Sequence, residues 1–202
     1  PIAIDALRAG KAVFVEKPLA LTDEELAEVI SVVEETGGQL MVGFNRRFSP
    51  MVRELSDFMR STPEPLIMNY RVNAGPIPPS HWIRDPEVGG GRITGEVCHF
   101  VDTLSGLARS VPTQVSARRV GVPHASITHD EDLCVQMALA DGSVATIVYA
   151  CTGDASFPKE RIEVFGGGAA GVIDDFRTLS LSRDGRSKTR RSRQQDKGHR
   201  EE

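Results

Sequence analysis

The hydrophobic pattern of the chain changes character near residue 45, and this change limits the folds open to it. Before that point, an unbroken apolar run at 12–15 and a second, largely apolar segment at 39–44 each follow a segment whose apolar residues have helical spacing. Short apolar runs bounded by turn signals are typical of strands buried on both faces of a parallel sheet. Thr22 and Glu25 have the spacing of a helix capping box. Residues 1–45 are therefore predicted to be the last helix–strand–helix–strand part of a parallel α/β domain.

Beyond residue 45 the pattern becomes that of an α+β domain. The pair Ser49-Pro50 predicts the start of one helix, and a second helix is predicted over 92–109. Later segments read as strands, and the dipeptides Asp141-Gly142 and Asp184-Gly185 are strong hairpin signals. The segment 46–202 is therefore predicted to be an α/β substrate-binding and dimerisation domain. Within it, residues 66–191 are predicted to form one open, mainly antiparallel sheet of about six strands with helices on one face.

The composition argues against several classes of function. The net charge is −4, so we expect neither a general polyanion binder nor a nucleic-acid partner. The longest apolar runs are far shorter than the ~20 residues that span a bilayer, so we expect no membrane partner. Three cysteines without C-x-x-C spacing argue against a disulfide scaffold or a metal site and are typical of a cytoplasmic protein. The histidines His81, His124 and His129 form no ligand spacing either.

Lys17 is the first candidate for chemistry, because it directly follows the first predicted strand. In an open parallel sheet, ligands bind outside the carboxyl ends of the strands. A lysine there can stabilise negative charge that develops on a substrate oxygen. Pro18 cannot extend the strand, and a turn at this point aims Lys17 into the crevice. From position alone, an ordinary surface lysine at a strand end is the alternative.

A second candidate group follows the glycine run at 89–91. His99 lies in the second turn of the predicted helix, and Asp102 is three residues further along, so the two share a helix face. Imidazole, with an ordinary pKa of about 6.5, is suited to proton transfer near neutrality. From these residues alone, a core histidine bonded to a neighbour is an equally good interpretation.

Three segments together resemble the glucose–fructose oxidoreductase/inositol dehydrogenase (Gfo/Idh/MocA) family. They are Ala9–Ala20 with its Glu-Lys-Pro motif, Val42–Phe48 with the sequence Val-Gly-Phe-Asn-Arg-Arg-Phe, and the glycine run that leads to His99 and Asp102. They occur in the family's order and spread over nearly the whole chain. The resemblance implies a Rossmann domain followed by an α/β domain with an open, mainly antiparallel sheet. It also implies an NAD(P)-dependent oxidoreductase that acts on a sugar, a cyclitol or a related polyol.

The resemblance implies roles for individual residues. Lys17 is expected to contact the substrate hydroxyl and the nicotinamide, and His99 to act as the general base or acid of hydride transfer. The implied cofactor-binding residues are Glu16, Lys17, Pro18, Asn45 and Arg46, and the implied substrate-binding residues are Trp82, Arg84 and Asp102. For Trp82 and Arg84 a packed loop anchor is the alternative. The resemblance also implies a cis peptide bond between Lys17 and Pro18.

Two features of the sequence depart from the family's pattern. The family often carries an aspartate four residues before the histidine, where this chain has Gly95 followed by Glu96. No G-x-G-x-x-G turn accompanies the parallel α/β segment, so most of the NAD or NADP site is expected to lie outside this chain. The segment alone is therefore expected to be inactive. The alternative hypothesis is a non-catalytic α+β module for dimerisation or ligand binding.

The later part of the chain also suggests partners. An uncovered sheet face with side chains such as Met137, Leu139 and Val148 is expected to form a homo-oligomer. Residues 183–200 are strongly basic, which is one pattern of anion or nucleic-acid contact. Because no aromatic residue interleaves with these charges, an exposed hairpin is the preferred interpretation.

Overall fold

The computed structural model describes residues 2–61, 64–78, 80–85, 87–120 and 131–202, and the chain divides into two compact units. The first unit consists of Pro1–Phe44 with Pro79–Cys98, and the second of Asn45–Pro78 with His99–Glu202. The sequence-based division at residue 45 lies beside the first of these breaks. It does not anticipate that residues 79–98 belong to the first unit, where Lys17 donates a hydrogen bond to Gly95.

The first unit begins with the helix–strand–helix–strand order that the apolar pattern predicts. Its elements are α1 (Ile2–Arg8), β1 (Val13–Glu16), α2 (Asp23–Thr36) and β2 (Leu40–Gly43). The two strands pair in parallel, with Glu16 opposite Gly43 at their carboxyl ends. The Thr22 hydroxyl accepts a hydrogen bond from the main-chain N–H of Glu25 at 3.2 Å, so the predicted cap starts α2. Gly37, in the left-handed region, ends it.

A small apolar core joins the two helices of this unit to one face of its strands. Ile4 and Leu7 of α1 pack with Val29 and Val32 of α2, and Val13 lies against this cluster. Phe14, the next residue of β1, points to the opposite face and is half exposed. The expectation that β1 is buried on both faces is therefore wrong for the described residues, because α1 and α2 cover only the face that carries Val13.

The returning segment of the first unit is short and irregular. It contains a 3₁₀ turn at Trp82–Arg84 and a π-helical turn at Ile93–Val97. Between them, Gly90 and Gly91 have positive φ angles of 66° and 83°, conformations that glycine adopts at no steric cost. The glycine run thus forms a tight link between the two turns.

The second unit is an eight-stranded sheet with two helices. After a 3₁₀ turn at Asn45–Phe48, its elements are α3 (Pro50–Met59), β3 (Ile67–Asn73), α4 (Cys98–Ala108, shared at its first residue with the other unit), β4 (Pro112–Arg119), β5 (Leu133–Leu139), β6 (Val144–Ala150), β7 (Glu160–Gly166), β8 (Ala169–Asp174), β9 (Thr178–Arg183) and β10 (Arg186–Arg191). The strand order is β10-β9-β8-β7-β3-β6-β5-β4. All neighbours are antiparallel except β3 and β6. The mainly antiparallel sheet is confirmed, but about six strands was too few.

Both helices of the second unit lie on the same face of the sheet. Tyr70 of β3 lies 4.8 Å, centroid to centroid, from Phe100 of α4, and α3 contacts β8 and β9. The prediction of helices on one face is therefore confirmed. Met137 and Leu139 are on this covered face and buried, so they were wrongly assigned to the open one. Val148 is the one of the three proposed side chains that lies on the open face. It stands opposite Arg71 and Cys134, which alternate with the buried residues of their strands.

Candidate active site

Lys17 stands at the carboxyl end of β1, where the sequence places it. The Lys17–Pro18 peptide bond is cis, which confirms the prediction. The Lys17 Nζ donates a hydrogen bond to the main-chain carbonyl of Gly95 at 2.7 Å. The lysine is therefore attached to the π-helical turn of the returning segment and is half-buried. Glu16, before it, is exposed, and Pro18, after it, is half-buried.

The 3₁₀ turn of the same unit carries the two residues proposed to border a substrate. His81 caps this turn, because its Nδ1 accepts from the main-chain N–H of Ile83 at 3.3 Å. Trp82 is 61% exposed and its ring lies 5.8 Å from that of His81. An exposed indole offers a flat apolar face on which a sugar ring can pack. Arg84 ends the turn and is half-buried.

His99 belongs to the second unit and lies in the first turn of α4. Its side chain is buried, and its main-chain carbonyl accepts a hydrogen bond from the Thr103 hydroxyl at 2.7 Å. The next residue, Phe100, packs between Tyr70 and Tyr149. These aromatic contacts fix the first turn of α4 on the sheet, and with it the position of the His99 backbone.

Asp102 lies one turn further along α4 and is engaged by an arginine. The guanidinium of Arg47 binds both carboxylate oxygens, with 2.7 Å between Nε and Oδ2. Burial raises the pKa of Asp102 above its ordinary value, while the hydrogen bonds and charge of Arg47 oppose that effect. Sequence reasoning missed Arg47, although it stands in the Asn-Arg-Arg segment that was singled out. The pair joins the turn at Asn45–Phe48 to α4.

Asn45 and Arg46 both face the C-terminal part of the second unit. The Asn45 amide donates to the carbonyl of Lys197 at 2.9 Å and lies 3.1 Å from His199 Nε2. The Arg46 guanidinium binds the buried carboxylate of Glu160, with 2.8 Å between Nε and Oε2. Sequence reasoning missed Glu160 and Lys197, because no local motif marks either residue.

The proposed site residues thus fall into two groups that the structure assembles separately. Glu16, Lys17, Pro18, Trp82 and Arg84 lie in the first unit, and Asn45, Arg46, His99 and Asp102 in the second. Among the described residues, no group of three or more His, Cys, Asp or Glu is placed to hold a metal ion. His124 and His129 lie outside that part of the chain. Nor does any helix in the described ranges have the length and apolar character to cross a membrane.

The spacing G-x-G-x-x-G does occur once in the chain, at Gly166–Gly171, and sequence reasoning overlooked it. Here it forms the turn between the antiparallel strands β7 and β8, with positive φ at Gly167 and Gly168. A dinucleotide-binding fingerprint joins a strand to a helix in a parallel sheet. This segment is therefore a hairpin turn.

Comparison with known proteins gives matches over most of the chain. A family model described as the oxidoreductase family with an NAD-binding Rossmann fold matches residues 1–44. A second model, the GFO/IDH/MocA C-terminal domain, matches residues 64–170. The inositol 2-dehydrogenase of Rhizobium meliloti is 31% identical over 180 residues, which cover 86% of this chain and 53% of that protein. An oxidoreductase of Bacillus subtilis, "Uncharacterized oxidoreductase YrbE", is 27% identical over 184 residues, 88% of this chain and 52% of that protein.

The chain spans about half the length of these curated relatives. Among solved structures, an NAD binding oxidoreductase from Klebsiella pneumoniae superposes with a TM-score of 0.80 at 19% identity. The superposition covers 94% of this chain and 56% of the other. At that level of identity the likeness shows a common fold.

Proposed function

Because the chain belongs to the Gfo/Idh/MocA family, we propose that it is the catalytic and substrate-binding part of an NAD(P)-dependent oxidoreductase acting on a sugar, a cyclitol or a related polyol. The single observation that carries the proposal is the fixed Lys17 ammonium at the carboxyl end of a parallel strand. The substrate class is supported by the name of one relative, an inositol 2-dehydrogenase.

The carboxyl ends of β1 and β2 fit a nicotinamide cofactor. Glu16 and Gly43 stand side by side there, and open parallel sheets bind ligands at this edge. Lys17 and Pro18 follow β1 in the chain, and Asn45 and Arg46 follow β2. We assign these residues, together with Glu16, to cofactor binding; when bound, the cofactor accepts or supplies the hydride. Since no G-x-G-x-x-G turn accompanies these strands, the 202-residue chain by itself is expected to hold the cofactor weakly and to be inactive.

The reaction needs a group that stabilises the reacting oxygen and a group that exchanges its proton. An ammonium has three N–H donors, and Lys17 uses one of them on Gly95, which leaves donors for a substrate oxygen. Lys17 thereby stabilises the negative charge that develops as the hydroxyl loses its proton. His99 accepts that proton in oxidation and returns it in reduction.

The substrate itself is proposed to lie near Trp82 and Arg84, with the exposed indole packing on its ring. Of the three proposed substrate-binding residues, Asp102 is the least available to a substrate, because Arg47 already binds both of its carboxylate oxygens. Any contact of Asp102 with a substrate hydroxyl has to be shared with that guanidinium.

The second unit is also proposed to form a homo-oligomer through the open face of its sheet. Ile67, Val144 and Phe165 are exposed and stand directly opposite one another on three neighbouring strands. A contiguous exposed apolar row of this kind favours a partner surface. The cysteines Cys98, Cys134 and Cys151 are free thiols, which supports the proposal of a cytoplasmic location.

A second candidate function is a non-catalytic α+β module for dimerisation or ligand binding. Gly95 favours it, because a glycine supplies no carboxylate to a proton-transfer pair. In that case the apolar row on the open face would be the functional surface of the chain.

Steady-state kinetics of the full-length protein that carries this chain tests the proposal. Substitution His99→Ala is expected to lower kcat by about 10²–10⁴-fold, the usual contribution of a general acid–base. Lys17→Met is expected to cost at least as much, because it removes charge stabilisation. Lys11→Met, at an exposed lysine before β1, is the matched control and should leave turnover unchanged. Unchanged turnover in both site variants, across a panel of polyols and sugars with NAD and NADP, would leave the module as the better interpretation.

A further inference from the structure

The partner that holds Lys17 is a main-chain carbonyl, which carries no net charge. The Nζ–O distance of 2.7 Å to Gly95 is that of a strong, charge-assisted hydrogen bond. Within the described residues, no carboxylate forms an ion pair with Lys17. The positive charge of this lysine is therefore fixed in position without being neutralised.

The carbonyl belongs to the π-helical turn Ile93–Val97. A π-turn shifts the helical hydrogen bonds from i+4 to i+5; it is rare and is frequently found at functional sites. A carbonyl oxygen has two lone pairs, and the wider turn opens the Gly95 oxygen to a donor from outside the helix. The local backbone thus has a form that suits a second donor, and Lys17 is the donor that uses it.

The surroundings of Gly95 leave little room for a side chain at that position. A Cβ on Gly95 would lie 3.0 Å from Ile83 Cδ1 and 3.4 Å from Ile83 Cγ1, which is tight packing. Ile83 is itself buried, and its backbone packs closely against Gly89, where a Cβ would lie 2.3 Å from the Ile83 Cα. A side chain on residue 95 would therefore have to displace the end of the Ile83 side chain.

We propose that the Gly95 carbonyl, presented by the π-turn, is the positioning group for the Lys17 ammonium in the reaction. The inference rests on the proposed function, since it assigns Lys17 to the reacting oxygen. A main-chain carbonyl carries no net charge, so an ammonium that it holds presents its whole positive charge to the reacting oxygen. With a carboxylate partner the pair would be neutral overall, and its stabilisation of a developing alkoxide would be weaker.

The first test weakens the acceptor without changing its shape. Replacing the Gly95–Glu96 amide by an ester makes the Gly95 carbonyl a poorer acceptor. The readout is the rate at which the Lys17 amine is reductively methylated, followed by mass spectrometry, with exposed Lys11 of the same chain as internal reference. A charge-assisted hydrogen bond should make Lys17 react about tenfold more slowly than Lys11 in the native chain. The ester should raise the Lys17 rate by about threefold or more.

The matched control places the same ester between Gly106 and Leu107, in α4. It removes a comparable helix hydrogen bond in α4, at a residue with no hydrogen bond to Lys17, and it should leave the Lys17 rate unchanged. If the Gly95 ester also leaves that rate unchanged, burial and not the carbonyl protects Lys17, and the inference is wrong.

The second test uses turnover of the full-length protein. Deleting Thr94 shortens the π-turn by one residue and turns the Gly95 carbonyl away from Lys17. If the deletion variant folds by circular dichroism, kcat and kcat/KM should fall together by at least about tenfold, because the interaction acts in the transition state. A folded deletion variant with native kcat overturns the inference; if the variant does not fold, the ester experiment decides.

Lys17→Met in the same assay distinguishes failure of the Gly95 role from failure of the proposed function. Loss of turnover in Lys17→Met together with native turnover in the deletion variant removes only the role of Gly95. Native turnover in Lys17→Met removes the proposed function, and the positioning role with it.

Discussion

Glu160 connects three side chains that lie far apart in the sequence. Its carboxylate is fully buried and contacts Arg46 Nε at 2.8 Å, Lys197 Nζ at 2.5 Å and the Tyr70 hydroxyl at 2.6 Å. Burial by itself would raise the pKa of Glu160, but the charges and hydrogen bonds of Arg46 and Lys197 outweigh it. They lower the pKa from 4.5 to about 2. The ionised carboxylate therefore stabilises the folded state.

The stability of the second unit should depend on this carboxylate in acid. A pKa lowered from 4.5 to about 2 gives a stabilisation that is complete above pH 4.5 and is lost as the pH falls towards 2. The total is about 3 kcal/mol. Glu160→Gln should destabilise the protein by ~3–5 kcal/mol at pH 7, because two cations lose their counter-charge. It should also remove most of the acid dependence between those pH values, as measured by urea unfolding.

Tyr70→Phe is the matched control for this prediction. It removes one hydrogen bond to Glu160 and leaves the charges in place, so a loss of ~1–2 kcal/mol is expected with the acid dependence retained. Equal pH dependence in Glu160→Gln and the native protein would show that other groups govern the acid transition.

Sequence reasoning identified residues that a short local motif marks. It missed residues whose contacts form between distant parts of the chain. Lys17 was identified because it follows an apolar run and precedes a proline in the Glu-Lys-Pro motif. Glu160 meets Arg46 across 114 positions and Lys197 across 37. No periodicity or short motif predicts such a contact, because the contact forms only when the sheet has formed.

At the scale of elements, α3 approaches the sheet most closely over β8. A Cβ on Gly171 would lie 2.1 Å from the Cδ1 of Leu55, and Leu55 is fully buried. The side chain of Leu55 therefore occupies the space that any larger residue at 171 would need. This contact fixes the distance between helix and strand.

The contact can be tested with a double-mutant cycle. Gly171→Ala should destabilise the protein by ~1–3 kcal/mol through overpacking, and Leu55→Ala by ~2–5 kcal/mol through the cavity it leaves. In the double mutant the new methyl fills part of that cavity, so the combined loss should be smaller than the sum by ~1 kcal/mol or more. Ala170→Ser, on the other face of β8, should change the free energy of unfolding by less than ~0.5 kcal/mol. Strict additivity in urea unfolding would contradict the assigned contact.

The strands with the weakest sequence signal are those that lack an apolar alternation, and only the hairpin signal of Asp184-Gly185 indicated β10. β10 has the sequence Arg-Ser-Lys-Thr-Arg-Arg and is exposed along its length, and β4 is almost as polar. Both are edge strands of the sheet, where one side has no partner strand and charged residues are common. The interior strands carry alternating buried residues and were predictable from that pattern.

At the scale of the whole molecule, the open face of the sheet is the surface most suited to a second copy of the chain. Ile67 is 63% exposed, Val144 46% and Phe165 43%, and the strand register sets them in one row. A symmetric dimer brings the same row of each copy together, as closed two-fold assemblies require.

The dimer prediction can be checked by light scattering at micromolar concentration. The native chain should have the mass of a dimer, and Ile67→Asp should shift it to a monomer, because the substitution places a charge in the centre of the row. Val115→Asp changes an equally exposed valine of β4 outside the row and should leave the dimer intact. A native chain that is monomeric under these conditions would contradict the assignment of the open face.

The order of the parts along the chain was predictable, whereas their assembly into units was not. Parallel α/β and antiparallel segments differ in the period of their apolar residues, so the change near residue 45 is visible in the sequence. Residues 79–98 belong to the first unit, where Gly95 accepts a hydrogen bond from Lys17. A segment rich in glycine and proline carries no periodic signal that would show where it packs.

The central position of β3 has a consequence for the timing of synthesis. β3 is the first strand of its sheet to be made, yet it pairs with β6 and β7, which the ribosome reaches only at residues 144–166. At a synthesis rate of ~5–20 residues per second, roughly 5–20 s pass between the synthesis of β3 and that of its partner strands. During that interval Met68, Tyr70 and Val72 have no strand beside them, although α3 and then α4 are already available to shelter them. The nascent chain is therefore most vulnerable to misassociation, and most in need of a chaperone, between the synthesis of β3 and that of β7.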